Sequence, residues 1–161
     1  DRRGSVTIES GVTYSELIAD LMQREPPGAL PNLHGPMMVT VAGAVATGSH
    51  GSGLYDRGLA SHVTSIELVT GDGGIVEYNR ASALPEEMHA AVMNLGCLGV
   101  VSKLTLELVP WFECRNVCIP MTMEQMLEKW DDLVAIDGRP PLCDSFSIHP
   151  SWSLGVCVVV L

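Results

Sequence analysis

The sequence predicts an α+β fold, on three observations. Apolar and polar residues alternate with period two in Val6–Glu9 and Val100–Val109, which puts every second side chain on one face of a strand, and His62–Val69 reads as a further strand. Apolar residues at helical spacing mark Tyr14–Arg24 (Leu17, Ile18, Leu21) and Glu86–Leu95 (Met88, Ala91, Val92, Leu95). Gly71-Asp72-Gly73-Gly74 stands between His62–Val69 and Ile75–Tyr78 as a tight hairpin turn, so those two strands run antiparallel.

Each element has its own reason. Val6–Glu9 is closed by a turn at Gly11, and the helix that follows is stopped at Glu25-Pro26-Pro27-Gly28. Proline lacks the amide donor and forces the residue before it out of the helical region. From Pro26 to Gly53 there is no Lys, Arg, Asp or Glu, and Val39-Thr40-Val41 reads as a short strand within that stretch. After the hairpin and the second helix, Gly96–Gly99 forms a small-residue turn into the strand Val100–Val109, which Pro110 ends. Beyond Pro110 the texture changes. Trp111–Pro120 reads as a strand, and Met123–Val134 as an amphipathic helix with Thr122 at its N-cap. Arg139-Pro140-Pro141 is a break, and Phe146–Leu161 reads as two strands. A domain boundary is expected near Pro110, giving a first domain over residues 1–110 and a second over 111–161.

Charge narrows the partners. The formal net charge is −10, so a general nucleic-acid binder is excluded, because phosphate backbones need Lys and Arg to displace counterions. Anionic membrane surfaces are disfavoured for the same reason. A small anionic cofactor is not, since backbone amides can hold phosphate without a basic side chain. The five cysteines are odd in number and fit no standard zinc spacing, which suits reduced thiols and favours an intracellular protein. The alternative, Cys114, Cys118 and His149 grouped around a metal, has no spacing motif behind it, and no metal is expected. The chain opens Asp1-Arg2-Arg3-Gly4 with neither an initiator Met nor a signal sequence. Its longest apolar run, Leu154–Leu161, is too short to span a bilayer. Both ends read as interruptions in a longer protein.

The stretch with the most chemical information runs Val41-Ala42-Gly43-Ala44-Val45-Ala46-Thr47-Gly48-Ser49-His50-Gly51-Ser52-Gly53. Glycine lets backbone amides approach a ligand closely, and successive amides can form a concave nest for a pyrophosphate. Thr47, Ser49 and Ser52 add hydroxyls. No Gly-Lys-Ser/Thr is present, and the spacings of Gly48, Gly51 and Gly53 do not match the Gly-x-Gly-x-x-Gly fingerprint. By spacing alone an ordinary packed turn competes with a cofactor site. His50 in such a turn reads as a satisfied polar group as readily as a base, and His34, His62, His89 and His149 have weaker claims. No Ser-His-Asp arrangement or carboxylate pair stands at a diagnostic spacing.

The segment Val41–Gly53 resembles the FAD-contacting segment of the aldonolactone and alditol oxidases, flavoenzymes of the vanillyl-alcohol-oxidase type. Val6–Leu17, Leu30–Leu33 and Leu95–Pro110 resemble three further segments of that family, in the same order and at similar spacing. The sequence Ser145–Trp152 resembles, less fully, the opening of its substrate domain. The resemblance implies part of a PCMH-type FAD-binding domain followed by the start of an antiparallel-sheet substrate (cap) domain. It implies FAD as cofactor, held along its pyrophosphate and ribityl chain by positions matching Thr40, Gly43, Thr47, Gly48, Ser49 and His50. A backbone group of Val101 would meet the adenine. His50 is then a cofactor contact. The implied reaction is oxidation of a CH–OH group of a sugar lactone or polyol, as in a D-arabinono-1,4-lactone oxidase, with electrons passed to O₂ or another acceptor. A family member with a different substrate, or a remnant that packs without binding flavin, are the rival readings. Gly35 departs from the alditol oxidases, which carry at its position a Ser that touches flavin and substrate. The family's first phosphate loop and the catalytic groups of its substrate domain have no counterpart in these residues, so no catalytic residue is assigned. Association of the whole protein with a membrane is compatible with the family.

Overall fold

The computed structural model describes residues 4–33, 35–51, 58–113, 115–131, 143–148 and 154–160. They fall into two compact units, one of residues 1–50 with 57–111 and one of 51–56 with 112–161.

The first unit is built on a four-stranded antiparallel sheet. Its strands are β1 (Ser5–Glu9), β3 (Val63–Val69), β4 (Ile75–Asn79) and β5 (Val100–Glu107), in the order β1-β5-β3-β4. Alternation sets the faces. Val6 and Ile8 of β1 and Leu104 and Leu106 of β5 are buried. Thr7 and Thr105, whose hydroxyls lie 2.9 Å apart, point the other way, as do Glu67 and Lys103 at 3.8 Å. Three helices pack further side chains into the same core: α1 (Tyr14–Met22), α2 (Val41–Ala46) and α3 (Pro85–Val92). A small ladder, β2 (Gly28–Ala29) with β6 (Val109–Pro110), closes the unit, and Trp111 N–H donates to the Pro27 carbonyl.

Local chemistry explains where the helices start. Thr13 and Glu16 form a capping box on α1: the Thr13 side chain accepts from the Glu16 amide, and the Glu16 carboxylate accepts from the Thr13 amide at 2.9 Å. The Thr13 amide and, second, the Thr13 hydroxyl, which donates to the same carboxylate oxygen at 2.7 Å, hold the Glu16 carboxyl below the usual carboxylate range. At α3, Pro85 sits where its missing N–H costs nothing, and Glu87 accepts from the Leu84 amide. Tyr14, Leu17 and Leu21 of α1 are buried, and burial pushes the Tyr14 phenol up, so it stays neutral.

The second unit carries a three-stranded antiparallel sheet in which β9 (Leu154–Val160) lies between β7 (Arg115–Met121) and β8 (Cys143–Ile148). Thr122 caps α4 (Met123–Glu128), accepting from the Gln125 amide at 3.2 Å. The far part of the expected Met123–Val134 helix, the Arg139-Pro140-Pro141 break, Cys114, His34 and His149 lie outside the described residues. Among the described residues no helix is long and apolar enough to cross a membrane.

The α+β reading holds, with four local corrections. Val39-Thr40-Val41 is not a strand. Thr40 makes a single bridge to Thr13 and then caps α2, because Val41, Ala42, Ala44 and Val45 all bury along one helical side. The second helix ends at Val92, where the Asn94 side chain bonds back to the Ala91 carbonyl at 2.8 Å and stops the turn. His62 belongs to a 3-10 turn over Leu59–His62, not to β3. The last long strand of this unit breaks at Leu108, whose amide donates to the Gly4 carbonyl, and Val109–Pro110 then pairs with a different partner.

Candidate functional site

The charge-free stretch folds around α2. Thr40 Oγ1 accepts from the Gly43 amide at 3.3 Å, and the entry is pinned by Tyr14 N–H to the Val39 carbonyl and Val41 N–H to the Val12 carbonyl. With the apolar side of α2 buried, Gly43 and Thr47 are left facing outward. A Cβ on Gly43 would stand 2.9 Å from Thr40 Oγ1 and crowd the cap. Thr47 Oγ1 donates to the Gly43 carbonyl at 2.9 Å, which leaves its lone pairs to the outside. The chain then turns at Gly48, whose φ of 70° favours glycine. Half-buried Ser49 and exposed His50 follow.

Six of the residues singled out by sequence, Thr40, Gly43, Thr47, Gly48, Ser49 and His50, thus occupy one continuous helix and turn, each exposed or half-buried. The amide nest is absent at its centre. The N–H groups of Thr47, Gly48 and Ser49 donate to the carbonyls of Gly43, Val45 and Ala44, because a helical stretch consumes its own donors. What this surface offers a ligand is hydroxyls, an imidazole and closely approachable glycine backbone, with no charged side chain from Pro26 to Gly51.

The seventh residue, Val101, lies on β5 opposite Leu68. Pairing of β5 with β1 ends at Glu9–Lys103, and Ser10 N–H still reaches the Ser102 carbonyl. Val100 and Val101 run past that point, so β3 flanks them on one side and no described strand on the other. The turn leading into β5 is tied to α2, since Leu95 N–H donates to the Ala46 carbonyl at 3.2 Å. Gly99 fixes where β5 begins: its φ is 145°, and a Cβ there would overlap the Val69 carbonyl oxygen.

Sequence reasoning missed what decorates this turn. It put Leu95 on the buried side of a helix; the structure turns Leu95 outward, with Met93, Leu98 and Val100 also exposed. Asn94 ahead of Leu95-Gly96 is the signal that could have shown the helix ending early. A hollow of about 480 Å³, lined by Gly58, Ser61, Arg80, Met88 and His89 among others, contains none of the seven candidate residues.

Residues 1–79 match a family model described as an FAD binding domain. The chain is 37% identical over 126 residues to L-gulonolactone oxidase of Bos taurus, covering 78% of this chain and 28% of that protein. It is 43% identical over 109 residues to alditol oxidase of Streptomyces sp., covering 68% and 25%. It therefore spans only about a quarter of the length of these curated relatives. In fold it is similar to cholesterol oxidase from B. sterolicum, with a TM-score of 0.79 over 97% of this chain and 31% of that one, at 18% identity. The antiparallel sheet with its covering helices is thus the PCMH-type FAD-binding fold, and the cofactor is FAD. Along its first half the chain is similar to an FAD binding domain, and over two thirds or more of its own length to the sugar-lactone and alditol oxidases.

Proposed function

We propose that the protein bearing this chain oxidises a CH–OH group of a sugar lactone or polyol and delivers the electrons to O₂ or another acceptor. The observation that carries the reading is the neutral, small-residue surface of α2 and its turn, joined by the Leu95–Ala46 hydrogen bond to the turn that starts β5. Bound FAD would supply the hydride acceptor, and the chain's residues serve to hold and orient it. Thr40 and Ser49 can donate their hydroxyl protons to phosphate or ribityl oxygens. Thr47, its proton committed to Gly43, can only accept, which suits a ribityl hydroxyl. Gly43 and Gly48 let the ligand reach the backbone, and His50 offers a ring nitrogen. Val101 borders the open end of β5, where an adenine edge could pair with backbone.

Residues 1–110 in this reading are part of the FAD-binding domain and 111–161 open the substrate domain. The antiparallel β7-β9-β8 sheet is the support for the second assignment. Gly35 favours a lactone over an alditol, because it offers no hydroxyl where alditol oxidases place a serine.

The test is an absorbance spectrum of the purified full-length gene product, followed by oxygen uptake with L-gulonolactone and with a linear alditol. Flavin bands and lactone-dependent uptake are expected. Flavin bands with neither substrate active would point to another substrate in the same family. A colourless protein that takes up no added FAD would leave a packed remnant and overturn the proposal.

A further inference from the structure

We propose that Leu95 is an FAD contact whose strained backbone is kept in order to present an apolar side chain to an aromatic ring of the cofactor. Leu95 has φ 51°, the left-handed region in which a side chain crowds the backbone and which Gly or Asn occupies more easily. The conformation is held from both sides. Asn94, only 6% exposed, donates to the Ala91 carbonyl at 2.8 Å and accepts from the Gly96 amide at 2.7 Å, and the Leu95 amide donates to the Ala46 carbonyl. Yet the side chain so positioned is 68% exposed and adds little to the core. A backbone that strains to hold an apolar group in water signals a partner for that group.

The surroundings name the partner. Met93, Leu98 and Val100 are exposed beside Leu95 in sequence, and no charged residue occurs from Asn94 to Ser102. Met93 also reaches Gly48, where its Cε lies 2.9 Å from the place a Cβ would take. The apolar group therefore continues the surface formed by Thr47, Gly48 and Ser49. A flat, largely apolar ring fits that edge, and FAD carries two. The inference rests on the proposed placement of FAD along α2 and gives a contact role to Leu95, to which the resemblance of Leu95–Pro110 assigned none.

Three variants of the full-length gene product test it: Leu95→Gly, Leu95→Asn and Leu95→Met, each read by the melting temperature of the apo-protein and by FAD affinity from flavin fluorescence. Leu95→Gly and Leu95→Asn relieve the backbone, so the apo melting temperature holds or rises, while the FAD Kd weakens about tenfold, the loss expected for one apolar side chain's burial. Leu95→Met keeps the apolar contact and holds the Kd within about threefold. A fall in apo stability with unchanged affinity would make Leu95 structural and overturn the inference. If the unmodified protein takes up no FAD, the placement of the cofactor itself fails, which is a separate result.

Discussion

At the scale of single residues, the surface around α2 depends on positions where one atom more or less decides the outcome. Gly99 tolerates no side chain, because its φ of 145° and the neighbouring Val69 carbonyl both exclude a Cβ. Gly99→Ala is expected to cost about 2–3 kcal/mol in a denaturant melt and to disturb the start of β5. Gly35 is the opposite case. Among the described residues no atom lies within 4 Å of where its Cβ would stand, so a larger residue fits. Gly35→Ser should change stability by less than about 0.5 kcal/mol and raise the ratio of alditol to lactone turnover. An unchanged ratio in a well-folded variant would separate Gly35 from substrate choice.

At the scale of elements, caps and buried faces decide what forms. The Thr13–Glu16 box starts α1, the helix that pins the entry to α2. Thr13→Ala should cost about 1 kcal/mol. The Glu16 carboxyl is held below its unfolded value, so its stabilising effect is complete above the unfolded pKa and is lost as pH falls through the lower folded value. The gap in melting temperature between the unmodified protein and Glu16→Gln should therefore be positive at neutral pH and close as pH drops below the ordinary carboxylate range. A gap that persists in strong acid would mean that the charge contributes nothing. Leu104, 1% exposed in the centre of the sheet, is the packing counterpart, and Leu104→Ala should cost about 2–5 kcal/mol.

At the scale of the whole molecule, charge sets how the cofactor is met. The chain is strongly acidic, and the segment read as holding FAD contains no cation between Pro26 and Gly51. An anionic ligand bound through hydroxyls and backbone gains nothing from low salt, and screening even relieves its repulsion from the protein. FAD affinity should therefore stay level or strengthen slightly as sodium chloride rises from about 50 to about 500 mM, measured by fluorescence titration. A steep loss would show that Lys or Arg side chains carry the binding, with Arg57 the nearest candidate in sequence.

The sequence by itself determined the α+β class, the hairpin at Gly71–Gly74, the strands carrying Val6 and Leu104, and the run Val41–Gly53 as the place to look. Period-two and helical spacings are local properties, and a thirteen-residue run of small residues is visible without a fold. Other features were decided only by tertiary structure. Val41–Ala46 is a helix because β5 and the 3-10 turn Leu59–His62 offer a face on which four small apolar side chains can bury at once, whereas its composition read as turn or strand. That helix consumes the amides which the glycine pattern promised to a phosphate. Leu95 points outward because buried Asn94 ends α3 one turn early, against a spacing that placed it inside. Local pattern fixes which side chains want to be buried; which backbone donors remain for a ligand depends on what each segment packs against.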